Sequence, residues 1–197
     1  MDVKEAIEKR RTYRSLDSIE ITDEIVAELG EAARLMPSCF NNQPWRFVFV
    51  KGSGKLKELK QAFNKGNEWA NDASMIIAVF AKKDDDCIVK EREYYLFDTG
   101  MACGSILLRA VELGLAAHPI AGFSPEAAKD ILGIPEEANL ITLIIVGKKS
   151  EKINPALNEN QAAQEKTRPP RRPVDQIYSI DVFTNELFAE NIKGKTA

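Results

Sequence analysis

The most constraining feature of this chain is a run of apolar and small residues inside a long predicted helix. The spacing predicts a helix over residues 89–113, polar in its first half and apolar on nearly every side over 101–108. A helix that is apolar all round has to be buried all round. It therefore belongs in the interior of the fold or on a dimer axis, where small residues allow another backbone to approach: Gly100, Ala102, Gly104 and Ser105.

Apolar strands alternate with amphipathic helices along the rest of the chain. Continuous apolar runs predict strands over 47–50, 75–81 and 140–146. Helices are predicted over 2–10, 55–63 and 125–132, and another begins after Thr22, a candidate N-cap, and ends before Pro37. This order predicts an α/β or α+β sandwich with one central sheet, and the length of 197 residues predicts a single domain over 1–197.

The C-terminal part, residues 150–197, is predicted to be an extended arm. Residues 150–173 show little periodicity, and long structureless runs are uncommon inside a compact domain. The residues beyond them are too apolar for a solvated tail, so we expect them to dock on a second subunit or on the same one: Val174, Ile177, Tyr178, Ile180, Val182, Phe183, Leu187 and Phe188.

Composition excludes several classes of protein. A net charge of −3 and a pI near 5.4 argue against a nucleic-acid binder, which would carry a basic surplus. No stretch approaches the roughly 18 apolar residues that a membrane span needs, and the charged N-terminus has no apolar signal segment. Three cysteines without a C-x-x-C motif, and a single histidine, argue against a disulfide framework and a structural zinc site. We therefore expect a cytoplasmic protein.

Two short segments carry the chemistry. Residues 10–14 read Arg-Arg-Thr-Tyr-Arg, and their guanidinium groups match phosphate oxygens two at a time. Residues 37–45 form a proline-bounded polar loop with the hydroxyl, thiol and carboxamide groups that recognition of a heterocycle needs. Together the two segments predict a phosphorylated aromatic cofactor, although the arginines alone could be a solvated helix end.

The motifs resemble the nitroreductase family of dimeric FMN-binding flavoproteins. Residues 10–14 are similar to its R-[RH]-S-x-[RK] signature, and residues 37–47 to its P-S-x-x-N-x-Q-P-W-x-F loop. Residues 118–123 resemble the P-I-x-G-F turn that faces the flavin, and residues 171–173 resemble the basic stretch that returns to the phosphate. The resemblance implies a nitroreductase-like α-β-α sandwich with a mostly antiparallel sheet. It also implies an intertwined homodimer whose C-terminal extension wraps the partner.

The resemblance implies a role for each motif. Arg10 and Arg14 would bind the FMN phosphate, Thr12 the flavin ring or its chain, and Arg11 the carbonyl edge of the ring. The loop would approach the flavin of the partner subunit through Pro37, Ser38 and Cys39, with Asn41 and Gln43 nearer the ribityl or substrate side. Family members often carry serine where Cys39 stands, so its contact stays open between thiol and backbone.

The remaining implied contacts come from later in the chain. The turn at the flavin ring would consist of Pro119, Ile120, Ala121 and Gly122, with backbone N–H groups of the last two facing N5 and O4. Gly122 could instead be only a turn glycine. Either Asn67 or Asn71 would meet the pyrimidine edge, and Arg171 or Arg172 would close over the phosphate.

The resemblance implies an FMN-dependent oxidoreductase that uses NAD(P)H as co-substrate. A nitroaromatic, quinone or enone acceptor would take the electrons by a ping-pong mechanism, in a cleft left open by a small lid. No catalytic side chain and no metal are expected, because FMN carries the chemistry. A nucleophilic Cys39 would need a nearby base, and His118 is expected to be structural. The rivals are a flavin-storage or redox-regulatory protein and a phosphate-binding interaction module.

Overall fold

Six α-helices are present in the computed structural model, which describes residues 1–188. Side-chain caps begin four of them: Asp2, Thr22, Ser124 and Asn158 each accept a hydrogen bond from a backbone N–H of the first turn. The helices are α1 Val3–Lys9, α2 Asp23–Arg34, α3 Ser53–Leu59, α4 Tyr94–Glu112, α5 Pro125–Leu132 and α6 Glu159–Lys166.

The sheet is antiparallel at every pairing in the described chain. The strands are β1 Leu16–Asp17, β2 Arg46–Val50, β3 Met75–Ala81, β4 Ile88–Val89, β5 Arg92–Glu93, β6 Ala116–Ile120 and β7 Asn139–Lys149. The main sheet runs β1-β7-β3-β2, and β6 also pairs with the long β7. Strands β4 and β5 form a separate hairpin. The predicted mostly antiparallel central sheet is confirmed.

The core lies on both faces of this sheet. Along β3, Met75, Ile77 and Val79 pack with side chains of α2 and α4, whereas Ile76 and Ala78 pack with side chains of α3 and α5. Successive strand residues point to opposite faces, so a strand that is apolar throughout is covered on both sides. This arrangement confirms the predicted α-β-α sandwich.

Two elements differ from the sequence-based prediction. Helix α4 begins at Tyr94, five residues after the predicted start, because the β4–β5 hairpin occupies residues 88–93. Helix α6 lies in the segment predicted to be irregular; Glu165 is its one buried residue. No apolar stripe marks this helix, which is capped instead by the reciprocal Asn158–Gln161 capping box.

One face of α4 is open within the single chain. Ala102, Ile106 and Ala110 are fully buried, but Phe97 is 63% exposed. A Cβ atom placed on Gly100 or Gly104 would meet nothing within 4 Å. Thus the helix is not covered on every side by its own chain.

The apolar C-terminal segment is exposed in the single chain. Residues 174–183 hold several large side chains that are more than half exposed, among them Val174 at 66% and Ile180 at 76%. These side chains are mostly uncovered in the single chain, whereas Leu187 is half-buried, and the last nine residues of the predicted arm, 189–197, lie outside the described residues. Among the helices of residues 1–188, none has the length and apolar character needed to cross a membrane.

Candidate functional site

An arginine cluster forms where the segment after α1 meets α6 and the chain that follows it. The segment after α1 is extended, and α6 packs against it through long-range contacts. Between them is a small cavity lined by Arg10, Arg11, Thr12, Arg14, Gln164, Arg168, Pro169 and Arg171.

Backbone and side-chain groups of α6 position the N-terminal arginines. Arg11 Nη2 donates to the Gln164 carbonyl oxygen at 2.5 Å, and Arg14 Nη1 donates to Gln164 Oε1 at 3.1 Å. The buried Glu165 carboxylate accepts from the backbone N–H groups of Arg14 and Ser15, each at 3.0 Å. These contacts hold the segment in place at the mouth of the cavity.

The cluster carries excess positive charge. Burial lowers the pKa of Arg10, and the positive charges of Arg168 and Arg171 lower that pKa further. Burial also lowers the pKa of Arg14, against the opposing effect of Glu165. Within residues 1–188, no ion pair involves Arg10, Arg168 or Arg171. Neighbouring guanidinium groups without carboxylate partners favour a bound anion, and their forked geometry suits a phosphate dianion.

The structure brings the predicted cofactor residues of the N-terminal segment together with one of the two later arginines and adds a further arginine. Arg10, Arg11, Thr12 and Arg14 line the cavity with Arg171, whereas Arg172 is not among the lining residues. Sequence reasoning missed Arg168, whose Nη2 donates to the carbonyl oxygens of Glu8 and, at 2.9 Å, Arg10. Its signal was present, because Arg168 stands only three residues before Arg171 in the same basic, proline-rich stretch.

An aromatic pair connects the arginine cluster to strand β6. The Arg14 guanidinium lies 6.0 Å from the ring centroid of Trp69, and the ring centroids of Trp69 and His118 are 4.7 Å apart. His118 Nδ1 lies 3.1 Å from the Tyr13 carbonyl oxygen. Burial lowers the pKa of His118 to about 4, with a smaller contribution from the Arg14 and Arg10 charges. His118 is therefore neutral at pH 7, buried and hydrogen-bonded, as expected.

The turn after β6 is fixed by Asn67. Asn67 Nδ2 donates to the Gly122 carbonyl oxygen at 2.8 Å, and a Cβ atom on Gly122 would lie 2.3 Å from that nitrogen. Asn71 lies elsewhere, in a groove beside Lys51 and Lys60. Of the two predicted asparagines, the structure places Asn67 at the turn.

The other turn residues differ in accessibility. Ala121 is exposed and Pro119 and Gly122 are half-buried. The Ile120 side chain belongs to the core, and its carbonyl oxygen accepts from Thr142 Oγ1 at 2.8 Å. For the Gly122 N–H, the described part of the chain supplies no acceptor. The surface of the turn is therefore formed by Ala121 and Gly122.

The polar loop has an unusual backbone that is held by internal hydrogen bonds. Phe40, Asn41 and Gln43 all have positive φ angles, of 47°, 59° and 50°. Ser38 Oγ accepts from Gln43 N at 2.8 Å, which fixes the side chain inside the loop and leaves its O–H donor for the predicted cofactor contact. Left-handed conformations of non-glycine residues persist only where surrounding structure imposes them. Pro37 and the 91% exposed Phe40 lie at the surface of this loop.

The prediction of no disulfide is wrong, because Cys39 and Cys87 are bonded. Their Cα atoms lie 6.1 Å apart, and 48 residues separate them in sequence. Cys39 is therefore neither a free thiol contact nor a nucleophile in this structure. The sequence could not show the pairing, since it depends on the β4–β5 hairpin bringing Cys87 to the loop.

Two buried carboxylates flank this disulfide. Asp98 Oδ2 accepts from the Cys39 N–H at 2.7 Å, and Asp86 Oδ1 accepts from Asn42 Nδ2 at 3.2 Å. Burial raises the pKa of Asp98, and the adjacent Asp86 raises it further against the Cys39 hydrogen bond. The loop is thus attached to α4 and to the hairpin at the same point.

Within the described chain, no hydrogen bond or ion pair joins the polar loop to the arginine cluster. The two predicted halves of the cofactor site are each formed, but their polar groups do not contact one another in one subunit.

A sequence model of the Nitroreductase family matches residues 7–68 and 58–148. A protein of Archaeoglobus fulgidus, whose name suggests an NADH dehydrogenase or NAD(P)H nitroreductase, is 32% identical over 148 residues. That match covers 73% of this chain and 83% of the relative. An NADH dehydrogenase of Thermus thermophilus is 26% identical over 187 residues, covering 79% of this chain and 91% of the relative.

Solved structures share the fold. An oxidoreductase containing FMN superposes with a TM-score of 0.80 at 27% identity, covering 93% of this chain and 94% of that one. A nitroreductase family protein from Clostridium novyi NT gives a TM-score of 0.71 at 26% identity, covering 77% of this chain and 87% of that one. Because the family model spans most of the chain and the fold agrees, the chain belongs to the nitroreductase family.

Proposed function

We propose that this protein is an FMN-dependent oxidoreductase that uses NAD(P)H to reduce an electron-poor small molecule and works as a homodimer. The arginine cluster carries the proposal. Arg10, Arg168 and Arg171 repel one another around a cavity and have no carboxylate partner in the described chain. Such an arrangement is costly unless an anion occupies it.

The residues of the cluster fit a phosphate group. Arg14 and Arg171 present side chains to the cavity, and Thr12 adds a hydroxyl group. Each charge-assisted hydrogen bond contributes about 1.5–3 kcal/mol net, so two or three of them hold FMN without a covalent bond. Arg168 and Gln164 keep the N-terminal segment in place, since both contact it directly.

The turn at Gly122 fits the flavin ring. Its N–H group points to no protein acceptor in the described chain, and Asn67 fixes the turn through the carbonyl on the other side. A bound FMN would supply the chemistry of hydride transfer between NAD(P)H and a second substrate, in the ping-pong order that we propose. The amides of Ala121 and Gly122 would supply fixed dipoles toward N5 and O4.

No side chain of the site is needed as an acid or base. His118 is buried and neutral at pH 7, with its Nδ1 against a backbone carbonyl. Cys39 is bonded to Cys87. The role of the chain is therefore to bind, orient and shield, and the catalytic residue set is proposed to be empty.

Three exposed features support a homodimer. The open face of α4 carries Gly100 and Gly104, where a second backbone could approach closely. Phe40 of the polar loop is 91% exposed. The apolar segment 174–183 is also uncovered. A second copy would cover all three and bring the polar loop, with Asn41 and Gln43, to the flavin of its partner.

We further propose that the protein reduces a broad range of electron acceptors. Only residues 82–93 separate β3 from α4, and they form one short 3-10 turn and the β4–β5 hairpin. A connection of this size makes a small lid, which favours an open cleft that admits nitroaromatic, quinone or enone compounds. The specific acceptor would be found by comparing their rates with the same reduced enzyme.

The visible spectrum of the purified protein tests the proposal. We expect a flavin spectrum, release of FMN identified by mass on denaturation, and bleaching when NADH or NADPH is added under argon. A bound flavin that keeps its oxidised spectrum after NADH or NADPH is added would favour a flavin-storage or regulatory protein. A colourless protein that does not take up added FMN would contradict the proposal and favour a phosphate-binding module.

Arg171→Ala provides the matched variant. Arg171 lines the cavity and makes no hydrogen bond within the described chain. Its replacement should therefore weaken FMN binding tenfold or more, because a charge-assisted contact worth about 1.5 kcal/mol is lost. Arg34→Ala is the control, because Arg34 is an exposed residue of α2 that pairs with Glu31. Equal FMN affinity in the two variants would remove Arg171 from the site.

A further inference from the structure

We propose that the two cysteines of the Cys39–Cys87 disulfide, once reduced, bind one Zn²⁺ per chain together with Asp86. The two sulfur atoms and one carboxylate oxygen of Asp86 lie within 4.8 Å of one another. They come from two different segments, the polar loop and the start of the β4–β5 hairpin, and the fold brings them together.

Two buried carboxylates lie beside the two sulfur atoms. Asp86 is 8% exposed; its Oδ2 atom receives no hydrogen bond from a nitrogen or hydroxyl donor of residues 1–188, and the Asp98 carboxyl group is hydrogen-bonded to Asp86. A second buried carboxylate, Asp98, lies beside it. Within residues 1–188, no lysine or arginine forms an ion pair with either of them. Buried carboxylates are normally paired or bound to a metal.

The donor set selects a borderline-soft metal ion. Thiolates favour zinc over magnesium or calcium, and a carboxylate completes a set that zinc sites use. Zn–S bonds of about 2.3 Å place two thiolates about 3.8 Å apart on a tetrahedral ion, a separation that side-chain rotation provides. Both cysteines are only half-buried in the single chain, so reductant and metal ion reach them there.

The surrounding contacts prepare this site. Asp98 accepts from the Cys39 N–H and fixes that residue, while Asn42 donates to Asp86 Oδ1 and lies 3.6 Å from Cys87 Sγ. Such partners orient ligands before the ion arrives. Three protein ligands leave the fourth tetrahedral position for a water molecule.

Zinc binding requires two separate steps, reduction of the disulfide and then coordination of the metal ion. A dithiol reductant donates two electrons and two protons, the Cys39–Cys87 bond breaks, and the reductant becomes its own disulfide. Zn²⁺ then binds the two sulfur atoms as thiolates, and two protons are released to solvent. The metal and the disulfide are therefore mutually exclusive states of the same pair of cysteines.

Zinc stoichiometry of the intact protein tests this inference. Protein reduced with dithiothreitol is freed of reductant by gel filtration under argon, dialysed against Zn²⁺, and analysed for metal by mass spectrometry. We expect about one zinc per chain in reduced protein and none in oxidised protein. Absence of zinc from the reduced protein, or equal zinc in the two states, would overturn the proposal.

Three variants assign the ligands. Cys87→Ser should abolish binding, and Asp86→Asn should weaken it roughly tenfold or more, because both thiols remain but an anionic ligand is lost. Cys103→Ser is the matched control, since Cys103 is the free cysteine of the described chain and should not matter. Zinc binding that is retained in Cys87→Ser, or that is not weakened in Asp86→Asn, would refute the assignment.

Asp86→Asn keeps both cysteines, so formation of the Cys39–Cys87 disulfide in its oxidised form serves as the check that this variant folds. Flavin content is not a readout, so failure here leaves the proposed oxidoreductase activity untouched.

Discussion

Asn67 donates its side-chain N–H to the carbonyl oxygen of Gly122, 55 residues away, at 2.8 Å. The contact joins the 3-10 helix before β3 to the turn after β6. It also explains why glycine stands at position 122: a Cβ atom there would lie 2.3 Å from Asn67 Nδ2, although the backbone φ is ordinary. A larger residue at position 122 would therefore have to displace the Asn67 side chain, whereas the hydrogen bond of 3.0 Å from Asn64 N to the Gly122 carbonyl oxygen involves backbone atoms alone.

Gly122→Ala should therefore displace the Asn67 side chain and lower the free energy of unfolding by about 1 kcal/mol, the net value of a hydrogen bond. Asn67→Ala should cost a similar amount, and the double variant should cost less than the sum, because both changes remove the same contact. Urea unfolding of the four proteins measures this cycle. Additive costs would show that the contact does not explain the glycine.

Inorganic phosphate should stabilise the protein when it is free of FMN. The proposed anion site of the arginine cluster exists in the native state alone, so phosphate at ten times its dissociation constant should add about 1.4 kcal/mol and a few degrees to Tm. Thermal unfolding at constant ionic strength, with chloride in place of phosphate, measures the shift. Arg10→Ala should reduce it and Arg34→Ala should not; a shift that survives in Arg10→Ala would place the anion elsewhere.

His118 should make stability depend on pH between about 6.5 and 4. Its pKa is 6.5 in the unfolded chain and about 4 in the buried site. The unfolded state therefore binds the proton first, so stability is full above pH 6.5 and is lost as pH falls toward 4. At about 1.36 kcal/mol per pKa unit, the loss approaches 3 kcal/mol.

The difference in the free energy of unfolding between wild type and His118→Asn separates the contribution of His118 from the contributions of the carboxylates. Guanidinium unfolding at several pH values should show that the stability gap between the two proteins narrows as pH falls from 6.5 to 4. A constant gap over that range would mean that His118 titrates normally.

Removing the Cys39–Cys87 disulfide should lower stability by about 2–4 kcal/mol, because the bond closes a long loop in the unfolded chain. The measurement is the urea midpoint of Cys87→Ser against wild type, in EDTA and without reductant. Cys103→Ser should unfold like wild type apart from a small packing effect. If a dithiol leaves the wild-type midpoint unchanged, the bond does not form in solution.

Gly104→Arg should block the proposed dimer without unfolding the subunit. A Cβ atom at this position meets nothing within 4 Å in one chain, and the side chain would project from the open face of α4. Gly54→Arg is the control, since a Cβ atom on Gly54 also meets nothing within 4 Å and Gly54 is an exposed residue of α3. Light scattering after gel filtration should give a monomer mass for Gly104→Arg and a dimer mass for wild type and Gly54→Arg. A monomeric wild type would refute the dimer.

Local pattern was sufficient for most of the fold. Strand β3 and helix α5 coincide with their predicted ranges, and the cap at Thr22 begins a helix as expected. These features depend on neighbours in sequence: an apolar run, or a side chain that reaches a backbone N–H three residues on. Helix α6 escaped prediction because it has no apolar stripe and its stability comes from contacts such as Glu165 with Arg14 N.

By itself the sequence determined the arginine segment, the polar loop and the family resemblance, because each is a run of adjacent residues. Only the tertiary structure decided that Arg168 stands beside Arg10, that Asn67 rather than Asn71 meets Gly122, and that Cys39 is bonded to Cys87. Those partners are 48 to 158 residues apart in sequence, and a local periodicity cannot predict contacts between residues so far apart. Their meeting follows from burying both faces of one sheet, which fixes where every connecting segment returns.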